Sequence, residues 1–338
     1  MTITIPISVK MQESFNSVVK SKSSRFGIFV VGNVLCFYSV YEALYYVAMC
    51  NVTGIEEFSL SIPVETMMIL MRGHTIRITH RENNTELLES LKLTGEVLCS
   101  VIVASEYAAE LDQVRDFVGA TLDSDKSVVV SDTSIFKNAL QLVKPNFKEL
   151  GIAGVSFDSG YIYTIANAYV SYTKDPFNLS MVLPVSTLKA LWEFASNTHT
   201  VKISRLQGYN ICSYDNLLFA WRRQRSTQRF QEMKLDYIYA DMLSIDYLSD
   251  VFRLISSEVD SSFIDLGQGS IILNTKLGEY TIPLEIRNFT EESKYAFNYK
   301  LFSKLITSLS GTISFNMTEQ AIHMSSKGIN YIMSISKA

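Results

Sequence analysis

The sequence predicts an α+β protein of three tandem domains, each with two helices packed on antiparallel sheets. Three observations lead there. Short runs of alternating apolar and polar residues recur along the chain, as in Thr75-Ile76-Arg77-Ile78-Thr79, and this alternation marks a strand with one buried face. Amphipathic stretches at helical spacing sit between those runs. The elements also return in one order three times, and an internal repeat fixes the architecture before any finer detail. With 338 residues the chain has room for two or three domains of roughly 100–150 residues.

In the first copy a helix is expected from Val9 to Val19, then a hairpin turning at Gly32-Asn33 between runs rich in Val, Phe and Tyr. A second helix opens at Ile62-Pro63-Val64-Glu65-Thr66-Met67, keeps its apolar face at Leu70, and leads into the strand at Thr75. The second copy runs from a helix at Ile135 to Val143 through a hairpin at Gly160 and the helix opening Leu183-Pro184-Val185-Ser186-Thr187-Leu188 to the strand Thr200-Val201-Lys202-Ile203-Ser204. The third runs from a helix at Ile245 to Ile255 through Gly269-Ser270-Ile271-Ile272 and Phe297-Asn298-Tyr299-Lys300-Leu301-Phe302 to the strand Thr312-Ile313-Ser314-Phe315-Asn316. Proline near the start of the second helix suits a position whose N–H has no partner; Asn298 takes its place in the third copy. The expected domains are 1–120, 127–230 and 235–338. Asp123-Ser124-Asp125-Lys126 forms a polar link, and the arginine-rich stretch 222–229 precedes the third domain.

Hydrophobic residues make up 47% of the chain and charged residues 19%, a composition that builds cores and excludes a disordered or collagen-like chain. Thirty Lys+Arg against 34 Asp+Glu give a net charge of −4, so any nucleic-acid contact needs its basic residues gathered on one surface. Cys36, Cys50, Cys99 and Cys212 lie far apart with no CxxC pair, which fits a reducing compartment and neither a disulfide framework nor a zinc site. The start does not read as a secretory signal. Segment 27–50 is apolar over a length that could span a bilayer, but the Gly32-Asn33 turn and Glu42 make it paired strands instead. A cytoplasmic protein with no membrane partner is expected.

Enzymatic constellations are thin. His74, His80, His199 and His323 read as scattered strand-start or exposed positions without metal-ligand spacing. Gly267-Gln268-Gly269-Ser270 lacks a phosphate-loop lysine and reads as a tight turn. No GxSxG elbow occurs. No catalytic residue, cofactor or metal is expected.

Basic residues are more suggestive. Lys10, Lys20 and Lys22 lie on or after the first helix, Lys137, Lys144 and Lys148 around the third, Lys189 on the fourth, and Lys300 and Lys304 on the sixth. Arg222, Arg223 and Arg225 belong to the densest positive stretch. Each alone reads as a solvated helix face or a connector. Helices lining one surface would sum these charges into a track that holds a phosphate backbone without reading bases.

Three consecutive helix–strands–helix–strands units with an apolar-Pro segment opening the second helix resemble the bacterial sliding clamp, the β subunit that confers processivity on DNA polymerase. The resemblance covers nearly the whole chain. It is best at Ile135-Phe136-Lys137-Asn138-Ala139-Leu140, Gly151-Ile152-Ala153-Gly154-Val155 and Met181-Val182-Leu183-Pro184, and good at Asn330-Tyr331-Ile332-Met333. Its divergence suggests a phage-encoded member acting in the host cytoplasm. The resemblance implies three clamp domains in a crescent, or half ring, that pairs head to tail with a second copy and closes around double-stranded DNA. The lysines and arginines named above would face that DNA. It further implies that DNA polymerase and the clamp loader dock through short peptide motifs, in a pocket formed by Ile152, Tyr169, Ser171, Tyr331, Met333 and Ile335. Those residues equally suit ordinary sheet and core positions. Two departures stand out: Ala166-Asn167-Ala168-Tyr169-Val170-Ser171 replaces the family's Thr-Asp-x-His-Arg-Leu stretch, and the C-terminus lacks the usual proline.

These departures keep a second reading open, a clamp-fold adaptor or transcription or replication cofactor that binds partner proteins without encircling DNA. A third is an unrelated β-rich structural or receptor-binding protein, prompted by 18 Tyr and 19 Phe. An enzyme ranks behind all three, for want of a convergent polar cluster.

Overall fold

The computed structural model describes residues 2–19, 25–83, 85–104, 110–122, 127–144, 154–166, 168–196, 198–225, 229–232, 235–255, 259–284 and 293–338. Among them one order of elements occurs three times. The first pass runs β1 (Thr2–Pro6), α1 (Val9–Val19), β2 (Arg25–Val31), β3 (Val34–Tyr41), β4 (Leu44–Asn51), β5 (Ser59–Pro63), α2 (Val64–Leu70), β6 (Thr75–Arg81), β7 (Thr85–Leu91) and β8 (Val97–Ala104). A helix outside the repeat follows, α3 (Leu111–Leu122). The second pass runs β9 (Val128–Val130), α4 (Ser134–Val143), β10 (Gly154–Asp158), β11 (Tyr161–Ala166), β12 (Tyr169–Lys174), β13 (Met181–Pro184), α5 (Val185–Ala195), β14 (Val201–Leu206), β15 (Tyr209–Tyr214) and β16 (Leu217–Arg222). The third runs β17 (Tyr239–Ser244), α6 (Asp246–Leu254), β18 (Val259–Asp265), β19 (Ser270–Thr275), β20 (Gly278–Pro283), β21 (Lys294–Phe297), α7 (Tyr299–Ser308), β22 (Thr312–Met317), β23 (Ala321–Ser326) and β24 (Ile329–Lys337).

Pairing repeats as faithfully as order. The opening strand of each pass pairs with the strand after the second helix: β1 with β6, β9 with β14, β17 with β22. Two sheets then run between passes, because β4 pairs with β16 and β12 pairs with β24. Every pairing is antiparallel. This sharing of strands makes two compact units, residues 1–133 with 194–223 and residues 134–193 with 224–338.

Local chemistry explains the element ends. Pro63 and Pro184 do not sit inside the helices; each closes a strand, where fixed φ suits extended backbone. Pro63 is also the residue that caps α2, with no side chain to bond the free N–H groups. Asn298 does bond them: its side chain accepts from the Leu301 amide at 3.0 Å, a capping bond that proline cannot supply. Segment 27–50 forms the three strands β2, β3 and β4. Their second turn is Glu42-Ala43, both at positive φ (49° and 62°), the backbone of a two-residue hairpin turn. Among the described residues no helix is long and apolar enough to cross a membrane.

In the first unit Met11, Phe15 and Val18 of α1 and Met67 and Leu70 of α2 share one core with Phe26, Ile28, Phe37 and Ile62 from the strands. α3 covers the opposite sheet face. Its Leu111, Val114, Phe117 and Val118 pack on Phe29, Tyr38, Tyr45, Val47, Ile211 and Leu218. No element is predicted there from the sequence, although the i, i+3, i+6, i+7 spacing of those four residues is a helical stripe. In the second unit Phe252 of α6 meets Tyr299 and Phe302 of α7 with ring centroids 5.7 and 5.6 Å apart, and Phe136 of α4 packs near Phe157.

Candidate nucleic-acid and partner interfaces

The exposed lysines follow from helix periodicity. On α4 the apolar stripe Ile135, Phe136, Ala139, Leu142 and Val143 is buried, which leaves Lys137 on the solvent side and Lys144 just past the last turn. Lys10 on α1, Lys189 on α5 and Lys300 on α7 are likewise exposed, and Lys304 is half-buried. Arg222, Arg223 and Arg225 are exposed at and beyond the end of β16. Lys20, Lys22 and Lys148 lie outside the described residues. The remaining two repeat helices differ. α2 carries no lysine or arginine, and the one cation of α6, Arg253, sits 3.2 Å from Asp250. Instead they expose apolar side chains: Met68 and Ile69 on α2, Tyr247 and Leu254 on α6.

Pairing of β12 with β24 brings the residues expected to form a partner pocket together. Tyr169 faces Met333, and Ser171 faces Tyr331. They are core, however. All four, and Ile335, are buried. The Tyr169 and Ser171 hydroxyls donate to the Leu142 carbonyl at 3.1 and 3.0 Å, and the Tyr331 hydroxyl donates to the Gln141 carbonyl at 3.4 Å. These are carbonyls of the last turn of α4, where side-chain donors commonly supplement the helix's own bonds; the Gln141 carbonyl also accepts from the Lys144 amide at 3.2 Å. Burial pushes the Tyr331 phenol up to about 12, and raises that of Tyr169 further. Tyr169, Ser171 and Tyr331 thus lie on the sheet face that α4 covers. Ile152 is outside the described residues.

The alternate residues of the same strands occupy the other face. Tyr163, Tyr172 and Ile332 form a cluster there, with Tyr161, Ile165, Val170, Phe230 and Leu235 packed against it. Phe230 sits 4.6 Å from Tyr172 and 5.4 Å from Tyr163 between ring centroids. Tyr161 donates to Glu232. His323, expected at an exposed strand position, is buried on this face: its Nδ1 meets the Tyr237 hydroxyl and its Nε2 lies 3.1 Å from Asn330 Oδ1. Burial lowers its pKa. The sequence carried a signal for this face in Tyr161, Tyr163 and Tyr172, which alternate as one side of a hairpin.

Among the described residues no group of His, Cys, Asp or Glu is placed to hold a metal ion. A cleft of about 380 Å³ in the first unit is lined by hydroxyls (Thr121, Thr198, Thr200, Ser213, Tyr214) with Lys202 and Asp215.

This thrice-repeated α+β topology is that of the DNA sliding clamp. The fold is similar over the full length to the β subunit of DNA polymerase III from Streptococcus pneumoniae (TM-score 0.69, 12% identity, 100% of each chain covered). It is similar also to that of Borrelia burgdorferi (TM-score 0.65, 13% identity, 100% of this chain and 98% of the other) and to that of Pseudomonas aeruginosa (TM-score 0.67, 12% identity, 100% of each). No family model and no curated protein matches the sequence.

Proposed function

We propose that this protein is a sliding clamp: a non-catalytic, cytoplasmic processivity factor that encircles double-stranded DNA as a head-to-tail homodimer and tethers a DNA polymerase. Its domains are 1–120, 127–230 and 235–338. One observation carries the reading. The junction made by β4 with β16 is made again by β12 with β24, and the corresponding strands of the outer passes, β20 and β8, each keep one edge without a strand partner among the described residues. Unpaired edges invite pairing, and joining β20 of one copy to β8 of the next, twice, closes a two-fold ring.

Topological binding explains how a chain of net charge −4 holds DNA, since a closed ring slides without gripping. Lys10, Lys137, Lys144, Lys189, Lys300, Lys304, Arg222, Arg223 and Arg225 then supply contacts to phosphates, independent of base sequence and weakened by salt. Polymerase and clamp loader dock through short peptides at the β12–β24 junction, where Ser334 is exposed.

The test is retention on DNA. Protein assembled by a clamp loader on a nicked circular plasmid should stay bound through gel filtration and be lost when the plasmid is cut. Equal loss from both forms, or a monomer at micromolar concentration with partner binding intact, would replace this reading with that of a clamp-fold adaptor.

A further inference from the structure

Resting on the two-copy reading above, we infer that β20 and β8 of successive copies pair antiparallel in one register, with Gly278 opposite Val103 and Ile282 opposite Cys99 of the second copy.

The register follows from the repeat. Three hairpins of equal loop length place Leu44 opposite Tyr41, Tyr169 opposite Ala166, and Gly278 opposite Thr275, so Leu44, Tyr169 and Gly278 correspond. On the other side, Ile203, Phe315 and Ile78 hold the same position of the repeated strand and face Cys212, Met324 and Leu88. Those three face Phe219, Tyr331 and Val101. Two residues further on, Trp221, Met333 and Val103 therefore correspond. Both junctions within the chain obey one rule: Trp221 faces Leu44, and Met333 faces Tyr169. Applied to the free edges, the rule sets Val103 opposite Gly278, Ile102 opposite Glu279, Val101 opposite Tyr280, Ser100 opposite Thr281 and Cys99 opposite Ile282. A slip of one residue would turn every side chain of one strand to the wrong face.

Exposure at the free edges matches what the internal junctions bury. Ile102 is 57% exposed, while its counterparts Ala220 and Ile332 are 0% and 7%. The helices of the same half-repeats, α2 and α6, expose the apolar side chains Met68, Ile69, Tyr247 and Leu254. The junction between copies also differs from the first internal junction by one bond. At the first internal junction the Met49 amide donates to the Asn216 carbonyl at 2.7 Å. The residue of β20 corresponding to Met49 is Pro283, which has no N–H to give. The ladder between copies closes one bond short of the first internal junction.

Disulfide trapping reads the register directly. Ile282→Cys creates a thiol that meets the native Cys99 of the second copy, and Cys36, Cys50 and Cys212 are buried. With diamide as oxidant, the variant should run as a covalent dimer on a non-reducing gel, reversed by dithiothreitol and abolished by adding Cys99→Ser. Because Ile282 is buried, a second pair on exposed positions guards against misfolding: Thr281→Cys with Ser100→Cys in a Cys99→Ser background should cross-link equally well. Glu279→Cys with Ser100→Cys, out of register by two, should not, since directly opposite Cβ atoms lie about 4.5–5.5 Å apart and diagonal ones about 7–8 Å. Light scattering of the unmodified protein separates the two claims. A dimer that cross-links only through the offset pair overturns the register and leaves the clamp reading intact, whereas a monomer overturns both.

Discussion

The hydroxyl of Tyr237 meets Nδ1 of His323, and on the far side of the imidazole Nε2 faces Asn330 Oδ1. Asn330 Nδ2 points instead to the Gly328 carbonyl, so the network assigns the proton of the neutral ring to Nε2, with Nδ1 accepting from Tyr237. Tyr237 belongs to the segment leading into β17, and this bond fastens that segment to β23.

The buried imidazole makes stability depend on pH. Its folded pKa lies below the ordinary value because burial disfavours the charged ring. The unfolded chain therefore binds more protons as pH falls through the ordinary histidine range, and stability is lost with acidification. The urea midpoint should drop between pH 7.5 and 5, and the drop should shrink in His323→Gln. An unchanged pH profile in that variant would place the titrating group elsewhere.

Tyr169 and Ser171 both serve the Leu142 carbonyl. Tyr169→Phe leaves that carbonyl one side-chain donor and should cost about 1 kcal/mol, while adding Ser171→Ala strips it of both and should raise the total to about 2–3 kcal/mol. Denaturant titration measures this. Binding of polymerase should persist, since both side chains are buried against α4.

The capping role of Asn298 is separable from packing. Asn298→Ala should destabilise the protein by about 1 kcal/mol, and Asn298→Ser should restore most of it. Thermal unfolding of the two variants decides whether the side-chain bond to the Leu301 amide holds the start of α7.

Removing the charge from Lys10, Lys137 and Lys300 should weaken DNA binding alike for every sequence. Each phosphate deprived of its cation lowers the slope of log affinity against log salt by about 0.9. A titration of the triple alanine variant across salt concentrations, with dimer mass unchanged, checks it. A slope equal to that of the parent would exclude these lysines from the interface.

The sequence alone determined the repeat and most of its elements. Val9–Val19 is predicted and found at the same ends, and the strands beginning near Thr75, Thr200 and Thr312 form as read, because period-2 and period-3.6 patterns are local properties of the chain. The family resemblance, rather than any local pattern, put Tyr169, Ser171, Tyr331 and Met333 together. It could not say which sheet face they occupy. Alternation sorts residues onto two faces, but both faces of β12 and β24 are apolar, and only packing shows α4 on one and Phe230 on the other. The pairings of β4 with β16 and β12 with β24 join residues more than a hundred positions apart, and nothing local encodes them. Tertiary structure decided which strands share a sheet, and thereby that β8 and β20 end theirs among the described residues.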